Sequence, residues 1–376
     1  MNLAVLKERR AGEARVAATP DTVKKLKALG LTVTIEAGAG EKACIGDADY
    51  VAAGATIAPD AEAALKDADI VLKVRTPEAA EISALKGGVV LIGLLAPYTE
   101  KEAIAALAAR GVNAFSMEFL PRISRAQTMD VLSSQANLAG YKAVIDAAAQ
   151  FGRAMPMMMT AAGTIAPARV LIMGVGVAGL QAIATARRLG AIVSATDVRP
   201  ATKEQVESLG ASFVAVIDDE FRQAETAAGY AKEMSKEYQA KQAALVAEHI
   251  KKQDIVITTA LIPGRKAPIL VTEEMVKSMK RGSIIVDLAV EQGGNCPLSK
   301  PDQIIEAFGV TIMGYTNLPA HLAVDTSSLY ARNLFNFVAL IVDKKTGALA
   351  LDWNDEIVKG AGLTRDGQIV HPALKV

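Results

Sequence analysis

The sequence predicts an α/β fold of two doubly wound, parallel-sheet (Rossmann-like) domains with a cleft between them. The chain has 376 residues, which is more than one hydrophobic core usually supports. Short apolar runs alternate with helical patterns along most of it, as they do in parallel sheets covered by helices. The apolar run at residues 170–173 leads directly into a glycine-rich turn, which is typical of the first strand and helix of such a sheet.

The first half of the chain predicts the first sheet. A strand at residues 3–6 is followed by Thr19 and Pro20, which predict the N-cap and the first residue of a helix that runs to Leu29. The helical pattern over residues 130–151 leads toward the second domain. Between them, four further short apolar strands are expected at residues 33–36, 70–74, 89–94 and 114–117.

The second half predicts the second sheet and a helix that returns to the first domain. The return helix is strongly periodic over about residues 322–342. We therefore expect a first domain of residues 1–132 plus 320–376 and a second domain of residues 133–319. The strands of the second domain are expected at residues 170–173, 192–197, 213–216, 254–258, 284–287 and 310–313.

Two segments depart from this alternation. Residues 218–252 are long, polar and helix-prone, whereas a simple β–α–β connection is much shorter. Two interpretations remain open for them: an exposed mobile loop near residues 218–240, or one long solvated helix. Residues 155–159 are four methionines and a proline, and we expect them to fill gaps in a core, because methionine clusters are more often adaptable core than cofactor ligands.

The composition excludes several classes of function. Lys plus Arg and Asp plus Glu both number 41, so the chain has no excess charge with which to bind nucleic acid or an anionic membrane surface. Cys44 and Cys296 lie far apart without metal-ligand spacing, which predicts neither a disulfide framework nor a metal site. The N-terminus has no signal-peptide core and no apolar stretch reaches ~18 residues, so no membrane segment is expected.

The glycine-rich turn predicts a dinucleotide site. Gly174 would form the tight turn, Gly176 would let the backbone approach a pyrophosphate, and Gly179 would let the helix pack close to the strand. Asp197 ends the second strand, where a carboxylate accepts from ribose hydroxyls and repels a 2′-phosphate. In this strand–turn–helix–strand context the pattern favours NAD(H); the alternative is an ordinary glycine-rich turn in a doubly wound sheet.

A second polar cluster, residues 118–130, follows an apolar strand and precedes the long helix. Ligands of open α/β sheets bind at the carboxyl ends of strands, which is where this segment is expected. Arg122 can bind a carboxamide or pyrophosphate oxygen, Asp130 can orient that arginine, and Gln127 offers both a donor and an acceptor. The alternative is a solvated loop followed by an N-capped helix, because loops also collect polar residues.

The distribution of histidines limits the chemistry. The chain has three, and none precedes His249, so most of the first domain has no imidazole to act as a general base. His321, at the start of the return helix, has no assigned role. Lys73 and Arg75 follow one another closely at the end of a predicted strand, where they could bind a carboxylate or, for the lysine, act as a base if desolvated. Their alternative role is solvation of the strand end.

The chain resembles the alanine dehydrogenase/transhydrogenase superfamily in several stretches. These are residues 7–20, residues 122–137, the turn at 174–179, residues 196–200 and the triplet 229–231. Within the superfamily it is similar, over essentially its whole length, to the NAD(H)-binding alpha-subunit family of proton-translocating NAD(P) transhydrogenases.

The resemblance implies roles for individual residues. Arg122, Asp130 and Ser133 would hold the nicotinamide, and Ser124 would contact the same cofactor. Gln127 would reach toward a second nucleotide on a partner protein, so Gln127, Arg122, Asp130 and Ser133 form the implied catalytic set. The other implied nucleotide contacts are Gly174, Val175, Gly176, Val177, Ala178 and Gly179 at the pyrophosphate, Asp197, Val198 and Arg199 at the adenosine ribose, and Gly229, Gln242, Leu261 and Tyr230, the last at the tip of a mobile loop.

The resemblance also implies an activity. Alanine dehydrogenases have a substrate-binding lysine where this chain has Arg75 and a catalytic histidine where it reads Leu94-Leu95-Ala96-Pro97, so amino-acid oxidation is not expected. Direct hydride transfer from NADH to NADP⁺ on a partner subunit needs no acid or base. Separate membrane-spanning subunits would couple the transfer to proton translocation. The chain is expected to be homodimeric and cytoplasmic, peripheral on the inner face of the bacterial cell membrane.

Overall fold

The computed structural model describes residues 1–222, 234–262 and 264–375. The chain divides into two compact units, unit 1 formed by Met1–Gln135 and Pro319–Val376 and unit 2 by Ala136–Leu318. Each unit contains a sheet of mostly parallel strands with a hydrophobic cluster on either face. The predicted class, two doubly wound α/β units, is confirmed.

The sheet of unit 1 is buried on both faces. Along its first strand, Leu3 and Val5 lie in one hydrophobic cluster and Ala4 lies in another. A strand buried on both faces needs apolar side chains at every position, which is why the inner strands read as continuous apolar runs. The parallel order is β3-β2-β1-β4-β5-β6, with β1 (Asn2–Val5), β2 (Thr32–Glu36), β3 (Thr56–Ala58), β4 (Ile70–Arg75), β5 (Val90–Leu94) and β6 (Asn113–Ser116).

The helices of unit 1 begin where their capping residues predict. Thr19 caps the first helix, Pro20 is its first residue, and Thr19 and Thr22 form a capping box. The long return helix buries Tyr330 and Phe337 against the sheet. The helices are α1 (Pro20–Ala28), α2 (Asp47–Ala52), α3 (Ala61–Leu65), α4 (Ala79–Ala84), α5 (Lys101–Ala109), α12 (Ala323–Ile341) and α13 (Glu356–Ala361), followed by a hairpin of β16 (Thr364–Arg365) and β17 (Gln368–Ile369).

Unit 2 repeats the plan with a larger sheet. Val170 and Ile172 of its central strand face one cluster, and Leu171 faces the other. The order is β11-β10-β9-β12-β13-β15-β14, parallel except for the last pair. The strands are β9 (Arg169–Met173), β10 (Ile192–Thr196), β11 (Ser212–Phe213), β12 (Ile255–Thr258), β13 (Ile284–Asp287), β14 (Gln303–Ala307) and β15 (Val310–Gly314).

The helices of unit 2 follow its strands. The first of them, α6 (Val131–Gln150), contains the boundary between the units. Within the described ranges, no helix has both the length and the apolar character needed to cross a membrane. The remaining helices are α7 (Val177–Arg188), α8 (Thr202–Ser208), α9 (Asp219–Arg222), α10 (Lys236–Ile250) and α11 (Glu273–Ser278).

Two edge strands escape sequence prediction. The strand β3 has three residues, too few to show a periodicity, and β14 alternates between exposed and half-buried positions. Both lie at the edge of their sheets, where one face of a strand can remain polar.

The prediction that residues 155–159 form core is wrong for most of the segment. Met155 is buried, but Met157 is 61% and Met159 is 83% exposed. The segment continues into an antiparallel hairpin of β7 (Met158–Thr160) and β8 (Gly163–Ile165), whose residues are all exposed. A hairpin that leaves the sheet presents both faces to solvent, so methionine flexibility does not serve a core here.

The polar segment at residues 218–252 is not one long helix. The helix α10 begins after Ser235, whose extended backbone and hydroxyl cap the amide of Tyr238. Residues 223–233, which include Gly229 and Tyr230, lie outside the described residues. The mobile-loop interpretation therefore stays a prediction.

Candidate functional site

Two glycines shape the turn after β9. Gly174 has a φ of +101°, in the left-handed region that favours glycine. A Cβ on Gly179 would lie 1.9 Å from the carbonyl oxygen of Gly174, so only glycine lets α7 approach the strand this closely. These are the turn and packing roles that the sequence predicts for the two residues.

The third glycine leaves an open space at the start of α7. A Cβ on Gly176 would meet no atom within 4 Å. Gly176 is the N-cap of α7, and no side chain caps this end of the helix. The amides of Val177, Ala178 and Gly179 have no acceptor within the helix, and the helix dipole favours negative charge here. This end of α7 can therefore receive an anionic group such as a pyrophosphate.

Asp197 follows β10 and holds the glycine turn in place. Its Oδ2 accepts from the Val175 amide at 2.7 Å and from Arg199 Nη2 at 3.0 Å. Its Oδ1 accepts from the amide and the Nε of Arg199 at 3.0 and 2.9 Å. The guanidinium of Arg199 also donates to the Val175 carbonyl at 3.1 Å. Asp197, Val175 and Arg199 thus form one cluster, and the Val175 amide is used by Asp197.

The remaining unit 2 residues of the predicted site differ in surroundings. Val198 and Leu261 are 54% and 48% exposed, beyond the carboxyl ends of β10 and β12. The amide of Gln242 accepts from the Val216 amide at 2.8 Å and donates to Thr196 Oγ1 at 3.1 Å. Gln242 therefore ties α10 to the edge of the sheet, a role that does not need a nucleotide.

In unit 1, the predicted polar cluster forms a short 3-10 helix, Ser124–Met129. Ala126 and Met129 are buried in the hydrophobic core, one turn apart. Arg122, Ser124 and Gln127 are exposed. Burial of two apolar side chains thus turns the polar residues outward, which is what ligand contact requires.

Asp130 and Ser133 contact one another at the start of α6. The Asp130 carboxylate accepts from the Ser133 amide at 3.0 Å and from the Ser133 hydroxyl at 2.5 Å. This is the arrangement of an N-cap residue and the third residue of its helix. The carboxylate is held rigidly beside the 3-10 helix, where it can accept further hydrogen bonds.

Several residues that support this cluster have no signal in the sequence. The amides of Asn333 and Asn336 on α12 both donate to the Thr128 carbonyl, at 2.8 and 2.9 Å. Asp355 pairs with Arg125. Each lies far along the chain from its partner, and asparagine or aspartate in a polar helix face or loop is ordinary in isolation.

The cations Arg15, Lys73 and Arg75 are all paired with buried carboxylates. Glu13 binds Arg15 at 2.7 Å and Arg75 at 3.1 Å. Lys73 contacts Glu81 at 3.1 Å. Burial alone would raise the pKa of Glu13, but the hydrogen bonds and charge of Arg15 lower it to about 2. An incoming carboxylate would therefore have to displace an ionised internal one.

Glu8 completes this buried cluster and differs from Glu13. It accepts from the Val74 amide at 2.7 Å and lies 3.5 Å from Lys73. Burial, only partly offset by Lys73, raises the pKa of Glu8 to about 7. The cluster therefore holds one carboxyl group that takes up a proton near neutral pH.

The loop after β5 has no imidazole. Ala96 stands there with a φ of +44°, and its amide donates to the carboxylate of Glu118 at 2.8 Å. The Leu95 amide donates to the same carboxylate at 3.1 Å. Burial raises the pKa of Glu118. The carboxylate is used to hold a strained loop.

Comparison with known proteins covers nearly the whole chain. The profile described as the Alanine dehydrogenase/PNT N-terminal domain matches residues 4–139, and that of the C-terminal domain matches residues 143–372. The chain is 58% identical over 379 residues to an NAD(P) transhydrogenase subunit alpha chain of Rhodospirillum rubrum, covering 100% of this chain and 99% of the relative.

Solved structures give the same picture. The crystal structure of a transhydrogenase from Sinorhizobium meliloti is similar with a TM-score of 0.90 and 55% identity, covering 98% of this chain and 100% of the other. An L-alanine dehydrogenase structure is similar with a TM-score of 0.83 and 28% identity, covering 100% and 98%.

Proposed function

This chain belongs to the Alanine dehydrogenase/PNT family, and we propose that within it the chain is the NAD(H)-binding subunit of a proton-translocating NAD(P) transhydrogenase. Full-length identity of 58% to a transhydrogenase subunit alpha supports this branch of the family. The observation that carries the proposal is the open, uncapped N-terminus of α7 behind Gly176, with the Asp197 carboxylate beside it.

The proposed reaction is a direct hydride transfer. When bound, NADH supplies a hydride to NADP⁺ that a partner subunit holds, with no proton exchanged at either ring. The residues of this chain bind and orient. The α7 amides would hold the pyrophosphate and Asp197 the adenosine ribose, while Arg122, Asp130 and Ser133 would fix the nicotinamide. Gln127 would contact the second nucleotide, so that the reacting carbons come within ~3–3.5 Å.

This reaction fits the groups that unit 1 offers. Amino-acid oxidation needs a group that takes a proton from the substrate. The loop at Ala96 has none to give, and Arg15, Lys73 and Arg75 are already bound to carboxylates. Hydride transfer between two nicotinamides needs only positioning and the exclusion of water.

The test is a reconstitution. The purified chain is mixed with NADH, a separately purified NADP(H)-binding transhydrogenase component and an NADP⁺ analogue whose reduced form absorbs at its own wavelength. We expect transfer only when both proteins are present. Assays with each protein alone and with alanine plus NAD⁺ are the controls. Alanine oxidation by this chain alone would overturn the proposal and return the site to Arg15, Lys73 and Arg75.

The proposed assembly contains further subunits. We infer that membrane-spanning subunits carry the proton pathway and that this chain lies in the cytoplasm, peripheral on the inner face of the bacterial cell membrane. The relatives' designation as subunit alpha supports the presence of other subunits. A nucleotide-binding chain outside the membrane needs such partners in order to couple hydride transfer to proton movement.

The Asp197→Ala variant is expected to weaken NADH binding about 10- to 100-fold, the size of a lost hydrogen bond to a charged group. It should also reduce the preference for NADH over NADPH, because Arg199 loses its neutralising carboxylate and can bind a 2′-phosphate. Isothermal titration with both nucleotides measures this. The Asp197→Asn variant, which keeps an acceptor for the Val175 amide, should lie between. Unchanged affinities for both nucleotides would remove Asp197 from the ribose site.

We propose that the hairpin of residues 156–166 contributes to a homodimer contact. It is fully exposed and contains three methionines and no charged residue. A two-fold contact brings identical patches together, so an uncharged patch pairs with itself without repulsion. Exposed apolar patches of this kind mark protein interfaces.

The Met159→Lys variant is therefore expected to convert a dimer to a monomer in sedimentation velocity at low micromolar concentration. It places two like charges at the proposed contact. The matched control is Ile304→Lys, which adds a lysine at a 48% exposed apolar position of β14 and should leave the dimer intact. A dimer that survives Met159→Lys but dissociates with Ile304→Lys would move the contact to β14.

A further inference from the structure

One buried side chain joins the 3-10 helix Ser124–Met129 to the start of α6. Asn333 is 8% exposed, its Nδ2 donates to the Thr128 carbonyl at 2.8 Å, and its Oδ1 accepts from Ser134 Oγ at 2.7 Å. Thr128 and Ser134 lie on opposite sides of Asp130 in the sequence. We propose that Asn333 is a positioning residue for Gln127, which it holds in place without touching a reacting group.

Asn333 can serve this purpose because its own amide is fixed. Ser134 Oγ also accepts from Gln135 Nε2 at 3.3 Å, and Gln135 Nε2 donates to the Thr326 carbonyl at 3.1 Å. The other end of the Gln135 amide accepts from Arg15 at 2.8 Å. A buried network in which each amide end has a partner holds every member in one orientation.

Gln127 depends on such support because its own element is weak. The 3-10 helix has six residues, longer than this geometry usually sustains. Only Ala126 and Met129 are buried, and Gln127 is exposed beside Thr128. The carbonyl that Asn333 holds belongs to the next residue, so its displacement would move Gln127 directly.

The neighbouring Asn336 gives an internal comparison. Its Nδ2 donates to the same Thr128 carbonyl at 2.9 Å, but its side chain is half-buried. Since the carbonyl oxygen has two lone pairs, both donors bind at once. Asn333 alone of the two has a hydrogen bond to α6 among the contacts that the structure describes, which predicts a larger effect for it.

The inference rests on the proposed hydride transfer, so the first readout is steady-state transfer with the NADP(H)-binding component. The Asn333→Asp variant keeps an acceptor for Ser134 and loses the donor to Thr128. It is expected to lower kcat about 10-fold and to leave the Kd for NADH within about twofold, since sub-ångström misplacement costs rate rather than binding. Asn336→Ala should lower kcat by less than about threefold.

A control separates positioning from loss of stability. Ser327 lies on the same helix α12, is buried, and accepts from the Val16 amide at 3.0 Å. Ser327→Ala removes a buried hydrogen bond remote from the 3-10 helix and should lower Tm without lowering kcat. If Ser327→Ala and Asn333→Asp reduce kcat equally at equal loss of Tm, the positioning role is refuted.

A double-mutant cycle with Gln127→Asn gives the decisive readout. If Asn333 acts through Gln127, Asn333→Asp should slow the Gln127→Asn variant by less than about threefold. Multiplicative effects of the two substitutions would overturn the proposal.

A second measurement does not depend on activity. Hydrogen exchange of the chain should be about tenfold faster in peptides covering Ser124–Met129 for Asn333→Asp than for wild type, with α5 unchanged. If wild type transfers no hydride in the reconstitution, the proposed function fails and this exchange difference still decides the positioning role. Unchanged exchange in Ser124–Met129 would refute it.

Discussion

The Gly179→Ala variant is expected to lose about 3 kcal/mol of stability in unit 2 and nearly all NADH binding. The new Cβ would lie 1.9 Å from the Gly174 carbonyl oxygen, a backbone atom that cannot rotate aside, so α7 must move away from β9. For a unit of this size, a loss of that order lowers Tm by roughly 6–12 °C. Calorimetry and isothermal titration with NADH measure the two effects.

Two glycine-to-alanine controls separate stability from binding. A Cβ on Gly152 meets no atom within 4 Å, so Gly152→Ala should leave both Tm and NADH affinity unchanged. A Cβ on Gly176 is equally free of contact, but it projects into the space proposed for the pyrophosphate. Gly176→Ala should therefore keep its Tm and weaken NADH binding. A Gly179→Ala protein with wild-type Tm and affinity would disprove the packing role.

The glycine turn could be predicted from sequence because its determinants are local. Gly174, Gly176 and Gly179 lie within six residues, and each has the surroundings that its assigned task requires. The capped start of α1 at Thr19 is local in the same sense. Such features follow from backbone geometry over one turn of chain, which a single sequence records.

The surroundings of Asp197 show where local reasoning stops. Its position at the end of β10 could be predicted, but its hydrogen bond to the Val175 amide joins residues on two different strands' ends. The pairing with Arg199, two residues away, depends on how the chain turns after the strand. The carboxylate therefore organises the turn as well as facing the proposed ribose site.

The support of the Gln127 cluster could not be predicted at all. Thr128 and Asn333 are separated by 205 residues, and their contact exists because α12 packs against the 3-10 helix. The methionine segment failed for a related reason. Its composition is that of a core, but whether a segment is covered depends on the rest of the fold, and here a hairpin carries Met157 and Met159 away from it.

The buried charges of unit 1 separate the two activities found in this family. A substrate carboxylate could bind Arg15 or Arg75 only by displacing Glu13, whose ionised form these two arginines stabilise. Breaking a buried ion pair leaves an uncompensated charge, which is strongly unfavourable. The cluster thus acts as part of the core of unit 1, and through Arg15 and Gln135 it anchors the network that reaches Asn333.

The Gln127→Asn variant is expected to lower kcat for hydride transfer about 10- to 100-fold while the Kd for NADH changes less than about twofold. Asparagine keeps the amide but is one methylene shorter, so the group proposed to contact the second nucleotide withdraws by about an ångström, and misplacement of that size costs up to ~100-fold in rate. Reconstituted transfer and titration with NADH measure the two quantities. The matched control is Gln303→Asn, the same change at an exposed position of β14, which should alter neither. Equal losses in kcat and in NADH affinity would place Gln127 in the NADH site, and an unchanged kcat would remove it from the reaction.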